Sequence, residues 1–265
     1  MIVAIDPQTQ GTPVNPWIRR RLGELPAVGF LFVTFLFIAV GNAVGAIIPV
    51  TTVQQKIGGS GGCSLQEAIY SANLDNNVAI ATWSGSTPVE VVTQCVPGSG
   101  DDIIVLPALS TFRLSNIVDD AYNPTGPTAT PIITSNITIL AYGATLERIG
   151  SRSFRLFAVG STGQLTIRRA YIRGFVAQGG DGGVLTKGLN GTTYIRGGGG
   201  GGMGAGGAIY VMGGVLVVEA STFEGNAAVG GQGGLSNSGG GGGGMGGNGG
   251  MGGFHTGGGR GGGAR

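Results

Sequence analysis

Residues 27–48 form one unbroken apolar stretch, in which Thr34 and Asn42 are the polar side chains and no residue is charged. As a helix this stretch is about 33 Å long at 1.5 Å per residue, enough to cross the hydrocarbon of a bilayer. Arg19, Arg20 and Arg21 precede it, and the next basic residue is Lys56. The positive-inside rule then puts residues 1–26 in the cytoplasm and sends the rest across. Small residues follow the most apolar part. Ala43-Val44-Gly45 and Val44-Gly45-Ala46 both fit a small-x-small cleavage pattern, so Gly45 and Ala46 are candidate cleavage positions. Two outcomes stay open: a cleaved signal peptide, or a retained single-span anchor. The length of the segment favours retention, whereas the small residues and Pro49 favour cleavage.

The next clear periodicity is helical. Leu65, Ala68, Ile69 and Ala72 recur at helical spacing and make one apolar stripe. Ser64 followed by Glu67 is a capping box, so a helix is expected over 64–73 within a cap region spanning 49–100. A short helix with one apolar face must lie on something, and the open end of a stack of strands is the natural platform. Cys63-Ser64-Leu65-Gln66-Glu67-Ala68-Ile69, Ala72-Asn73 and later Gly100-Asp101-Asp102-Ile103-Ile104 resemble the N-terminal cap of many bacterial surface β-helix proteins. That cap typically reads Cys-Ser/Thr-Leu-Arg-Glu-Ala-Ile; Gln66 stands here where Arg is usual. The resemblance covers about 45 residues. It implies a right-handed parallel β-helix and a cell-surface setting, and no reaction.

From Asp101 the pattern changes to short apolar runs between turn residues: 103–106, 111–114, 137–140, 154–159, 165–172, 208–211 and 215–223. None reads with helical period, so strands are expected throughout. One internal repeat organises them. Residues 164–183 can be laid over 215–234, with Leu165 on Leu216, Ile167 on Val218, Ile172 on Phe223 and Gly174 on Gly225. The offset is longer than one ordinary coil, which makes the almost pure Gly run at 197–207 a candidate protruding insertion. Stacked parallel coils around a narrow aliphatic core account for few charges and many turn glycines together. Gly206-Gly207-Ala208-Ile209 and Phe223-Glu224-Gly225-Asn226 resemble the paired repeat motifs of bacterial polymorphic outer-membrane proteins, a family linked with adhesion. The expected fold is therefore all-β: a short right-handed parallel β-helix over 101–229 with an N-terminal capping helix. A hydrophobic signal or anchor helix precedes it, and a Gly-rich low-complexity tail over 230–265 follows.

Composition then narrows the function. The chain has 58 Gly among 265 residues, 11% charged residues and a net charge of +2. That balance lacks the concentrated basic surface a nucleic-acid partner needs. Gly259-Arg260-Gly261-Gly262 alone does not change this. Cys63 and Cys95 are the only cysteines and both lie beyond the apolar segment, so in an oxidising compartment a single disulfide is expected. His255 is the one histidine, far off in the tail, which argues against a metal site. The tail reads as a flexible extension. The alternative is that its Gly runs pack as polyproline-II-like strands, since only Gly lets such backbones approach closely.

The body offers Asp101, Asp102, Asp119, Asp120, Glu147, Asp181, Glu219 and Glu224 as acids. Glycoside hydrolysis needs two carboxylates flanking one bond. Asp101-Asp102 and Asp119-Asp120 read instead as turn chemistry. Arg168 and Arg173 occupy the same repeat positions as Glu219 and Glu224, so opposite charges are expected to pair up the outer wall. No catalytic, cofactor-binding or metal residue is assigned. The function expected is a non-enzymatic, exported surface or secreted protein, outer-membrane or extracellular, with an adhesive or envelope structural role. Its partner would be a surface ligand such as a polysaccharide or a neighbouring cell, with the membrane engaged through 27–48 if the leader stays. The alternative is a carbohydrate-active enzyme, lyase or glycosidase-like, with an incomplete site.

Overall fold

The computed structural model describes residues 45–118, 123–183, 199–234, 242–245 and 248–249. Residues 1–44, Asp119, Asp120 and most of the Gly-rich tail lie outside the described residues, and with them the expected cytoplasmic leader and nearly all of the apolar segment. Ile47 and Ile48, the end of that segment in the sequence reading, belong to a strand, β1 (Ile47–Pro49). Ile48 is buried and Ile47 exposed, the period-two alternation of a strand with one face on a core.

The helix α1 (Leu65–Leu74) starts where its capping box predicts. The Glu67 N–H donates to Ser64 Oγ at 3.2 Å, and the Ser64 N–H donates to Glu67 Oε2 at 2.9 Å. Asp75 ends it in the left-handed region (φ 48), a conformation short polar side chains tolerate. Leu65, Ala68, Ile69 and Ala72 are buried in the main core. A hairpin follows, β2 (Val78–Ser84) and β3 (Thr87–Val92), turning through Gly85-Ser86 with Gly85 at φ 65. The sequence reading did not single out this antiparallel pair, although Gly-Ser between two strand-forming runs is a hairpin signal.

All remaining strands pair in parallel. They are β4 (Asp102–Val105), β5 (Thr111–Leu114), β6 (Asn136–Leu140), β7 (Thr145–Arg148) and β8 (Phe157–Val159). Next come β9 (Gln164–Arg168), β10 (Tyr171–Arg173), β11 (Val176–Gln178) and β12 (Ile209–Val211). The last are β13 (Val215–Glu219), β14 (Thr222–Glu224) and β15 (Ala227–Val229). One sheet runs β1-β4-β6-β9-β13, a second β14-β10-β7-β5, and β8 and β11 pair with β12 and β15. Among the described residues the fold is thus β-rich with one helix and parallel sheets, and no barrel closes. β8 to β11 are followed by β12 to β15, and each strand pairs with its counterpart in the same order.

Register places like on like. Ile48, Ile104, Ile139, Ile167 and Val218 form one file, and Phe112, Leu146, Ile172 and Phe223 another. The inner members are fully buried, whereas Val218 and Phe223 in the last layer are 40% and 43% exposed. Each fully buried aliphatic contributes about 1.5–3 kcal/mol. The core is therefore a column that thins at the β13–β14 end.

The Gly-rich runs are packed too. Residues 199–207, the described part of the expected protruding loop, do not protrude. The Gly202 N–H donates to Gly180 O at 2.7 Å, and the Gly231 N–H donates to Gly202 O at 2.8 Å. Gly180 and Gly243 donate to Gly244 O and Gly200 O at 2.7 and 2.8 Å, and Gly182 to Gln232 O at 2.7 Å. Residues 179–183 and 199–202 thereby each bond three other runs. A strand offers bonds in two directions, whereas a threefold polyproline-II-type backbone offers three. Such spacing leaves no room for side chains: a Cβ on Gly202 would lie 2.1 Å from Gly244 O.

Candidate functional site

The two cysteines, the capping-box pair and the two cleavage candidates fall around β1, α1 and the β2–β3 hairpin. Cys63 and Cys95 form a disulfide with Cα atoms 4.7 Å apart, closing the excursion that holds α1 and the hairpin. On chain-entropy grounds such a closure contributes roughly 3–4 kcal/mol. Glu67 is fully buried. Besides its cap bond it receives Lys56 Nζ at 2.7 and 2.8 Å and the Gly58 N–H at 2.7 Å, so the capping box doubles as an ion-pair socket. Ala46 donates its N–H to Asp102 Oδ1 at 2.7 Å, and its carbonyl accepts from Ile103 at 2.8 Å. Gly45 lies beside it, with a Cβ position 1.5 Å from Asp101 O.

The outer wall carries the charges. Arg168 Nε meets Glu219 Oε2 at 2.8 Å across the β9–β13 pair, as the repeat predicts. The second expected pair is corrected. Arg173 does lie in register with Glu224, but its guanidinium turns to Glu147 one layer the other way, with Nε 2.9 Å from Oε2. Arg113 Nε reaches the other oxygen of Glu147 at 2.9 Å. Glu224 instead accepts from the Tyr171 hydroxyl, which raises the tyrosine pKa. The hydrogen bond from Arg173 leads in holding the Glu147 carboxyl below its usual range, with Arg113 adding to it against the opposing effect of burial. Glu147 wins this competition because it lies between two arginines, whereas Glu224 has one neighbouring strand among the described residues.

A groove of about 390 Å³ opens on this wall, lined by Leu140, Tyr142, Arg168, Arg169, Glu219 and Ala220. It is built on a corner. Leu109, Tyr142, Arg169 and Ala220 all have positive φ, at 55, 48, 56 and 47°. They stack on successive layers: Leu109 donates to Tyr142 O, and Gly143, the residue after Tyr142, donates to Arg169 O at 2.7 Å. A non-Gly residue in this region costs about 1–2 kcal/mol, so the corner keeps its side chains at the expense of stability. Tyr142 is 46% exposed, and Arg169 makes no ion pair among the described residues. An aromatic ring thus stands one layer from an uncommitted guanidinium, with Arg168–Glu219 beside them and the short Ala220 leaving the space open. The sequence reading missed this file, because neither Gly nor Asn marks its corners.

Arg155 is a second residue without a sequence signal. It is 1% exposed, donates to Thr125 O and Ala205 O at 2.7 Å each, and places its guanidinium 5.4 Å from the Tyr210 ring centroid. Burial lowers its pKa. Through Ala205 it ties the aliphatic column to the Gly-rich runs.

Asp181, which is exposed, accepts the Gln232 N–H at 2.7 Å on its side chain at the surface of the Gly-rich runs. Among the described residues no group of three His, Cys, Asp or Glu gathers as metal ligands. Comparison with protein families, curated proteins and solved structures gives no significant match to the chain.

Proposed function

We propose that the chain is an exported, non-catalytic surface protein whose body is a right-handed parallel β-helix, with an adhesive or envelope structural role. The in-register recurrence of β8–β11 in β12–β15 supports the β-helix reading. One observation carries the functional part. The wall carboxylates are taken up in pairing, Glu147 by Arg113 and Arg173, Glu219 by Arg168 and Glu224 by Tyr171, while Tyr142 and Arg169 are held out on a strained corner. That is the chemistry of a binding face: a ring for stacking and a cation for an acidic or hydroxylated surface ligand.

The test is binding of the full chain to neutral and acidic polysaccharides and to intact cells, beside Tyr142→Gly and Arg169→Gly. Glycine relieves the positive φ, so both variants should keep wild-type stability to within about 1 kcal/mol. Binding should fall by about tenfold, or 1.4 kcal/mol, in each. Calcium-dependent depolymerisation of an acidic polysaccharide, lost in Asp119→Ala or Asp120→Ala, would overturn this reading in favour of an enzyme.

A further inference from the structure

Asp102 is 1% exposed, yet its carboxylate makes no ion pair among the described residues. Oδ1 accepts the Ala46 N–H at 2.7 Å and the Ser99 N–H at 2.9 Å, and Oδ2 is buried without a hydrogen-bond partner. Asp75 and Asp101 add negative charge nearby, and burial, more than these, raises its pKa. A buried carboxylate held by neutral donors with one oxygen orphaned is expensive. Ala46, whose nitrogen touches it, is also the residue that follows one of the two small-x-small cleavage positions.

We propose that an endopeptidase removes the leader after Gly45, and that the α-ammonium of Ala46 released by this cut pairs with the Asp102 carboxylate. The step is a hydrolysis. Water adds to the Gly45 carbonyl, the Gly45 C–Ala46 N bond breaks, Gly45 departs as a carboxylate, and the Ala46 nitrogen takes up protons to become an ammonium. A charged donor with three N–H groups replaces a single amide N–H at a nitrogen already in contact. A cut after Ala46 does the opposite. It removes the Ala46 N–H from Asp102 and the Ala46 carbonyl that the Ile103 N–H needs at 2.8 Å, and loosens β1 from β4. The two positions that the sequence leaves equal are therefore unequal in the fold.

This inference rests on the export reading, and the experiment separates the two. The full chain is expressed in a secreting host, and the mature protein is analysed by intact mass and N-terminal sequencing. Its α-amine is then titrated with an acylating reagent at neutral pH. The expected N-terminus is Ala46, with acylation at least about tenfold slower than in Asp102→Asn, as tenfold corresponds to one pKa unit of charge stabilisation. A mature N-terminus at Ile47 or elsewhere, or equal acylation rates in the two proteins, overturns the inference while export stands. A chain that stays in the cytoplasm with its leader intact overturns both. The N-terminus of the wild-type protein decides the cut even if Asp102→Asn does not fold.

Discussion

The aliphatic column and the Gly-rich runs solve one problem with opposite materials. Both are backbones joined laterally by N–H···O bonds. In the column, alternate side chains fill the interior, and the file Ile48, Ile104, Ile139, Ile167, Val218 sets the register by shape and burial. In the Gly-rich runs nothing points inward. Backbones close until a Cβ on Gly243 would stand 1.9 Å from Gly180 O. The column gains its stability from apolar area, and the Gly-rich part gains its definition from the exclusion of side chains. The first fails on loss of volume; the second fails on gain at its packed positions, such as Gly202 and Gly243, and not at an open one such as Gly200.

Truncation in the column is the largest expected effect. Ile167→Ala should cost about 2–5 kcal/mol in denaturant unfolding, as a buried aliphatic leaves a cavity between two fixed layers. Val218→Ala, in the same file but 40% exposed, should cost about 1 kcal/mol or less. Equal losses at both would mean that the column does not thin toward its end.

The next contrast lies within the Gly-rich part. Gly202→Ala places its Cβ 2.1 Å from a carbonyl oxygen, whereas a Cβ on Gly200 meets nothing within 4 Å. Overpacking predicts about 1–3 kcal/mol for the first and at most about 0.5 kcal/mol for the second. Limited proteolysis would add a local readout, with cleavage near 199–204 accelerated only in Gly202→Ala.

The difference between the two regions also explains what could be read from the sequence. Apolar recurrence is visible, so the match of Leu165 to Leu216 and Ile172 to Phe223 recurs as strand register. The neighbour 26 positions away, which gives Arg173 its partner Glu147, left no such trace, because 145–148 and 171–173 share little beyond one aliphatic residue. Runs expected as single strands, 165–172 and 215–223, break at Arg169 and Ala220. Only a backbone angle marks those corners, at residues that ordinarily avoid it. Packing of the Gly runs was legible as an alternative only, since composition cannot tell a flexible chain from one whose partners are other Gly runs. The cap was the clearest feature, because Ser64, Glu67, Cys63 and Cys95 act through local chemistry that needs no knowledge of neighbours.

The smallest expected effect is electrostatic. The lowered pKa of Glu147 means that its contribution is present above the ordinary carboxylate range and is lost as pH falls through the lowered value. Arg113 and Arg173 are 71% and 48% exposed, so solvent screening keeps this below about 1 kcal/mol. Glu147→Gln should flatten the acid limb of stability against pH. An unchanged acid limb would remove the wall pairs from the account of stability.

Amide hydrogen exchange tests most directly whether the Gly-rich runs are part of the fold. The amides of Gly180, Gly182, Gly202, Gly231, Gly234 and Gly243 all donate to backbone carbonyls of other Gly-rich runs at 2.7–2.8 Å. They should therefore exchange as slowly as those of Leu165 and Ile167 in β9, to within about tenfold. Exchange at the rate of an unfolded chain at these glycines, with β9 still protected, would contradict the account.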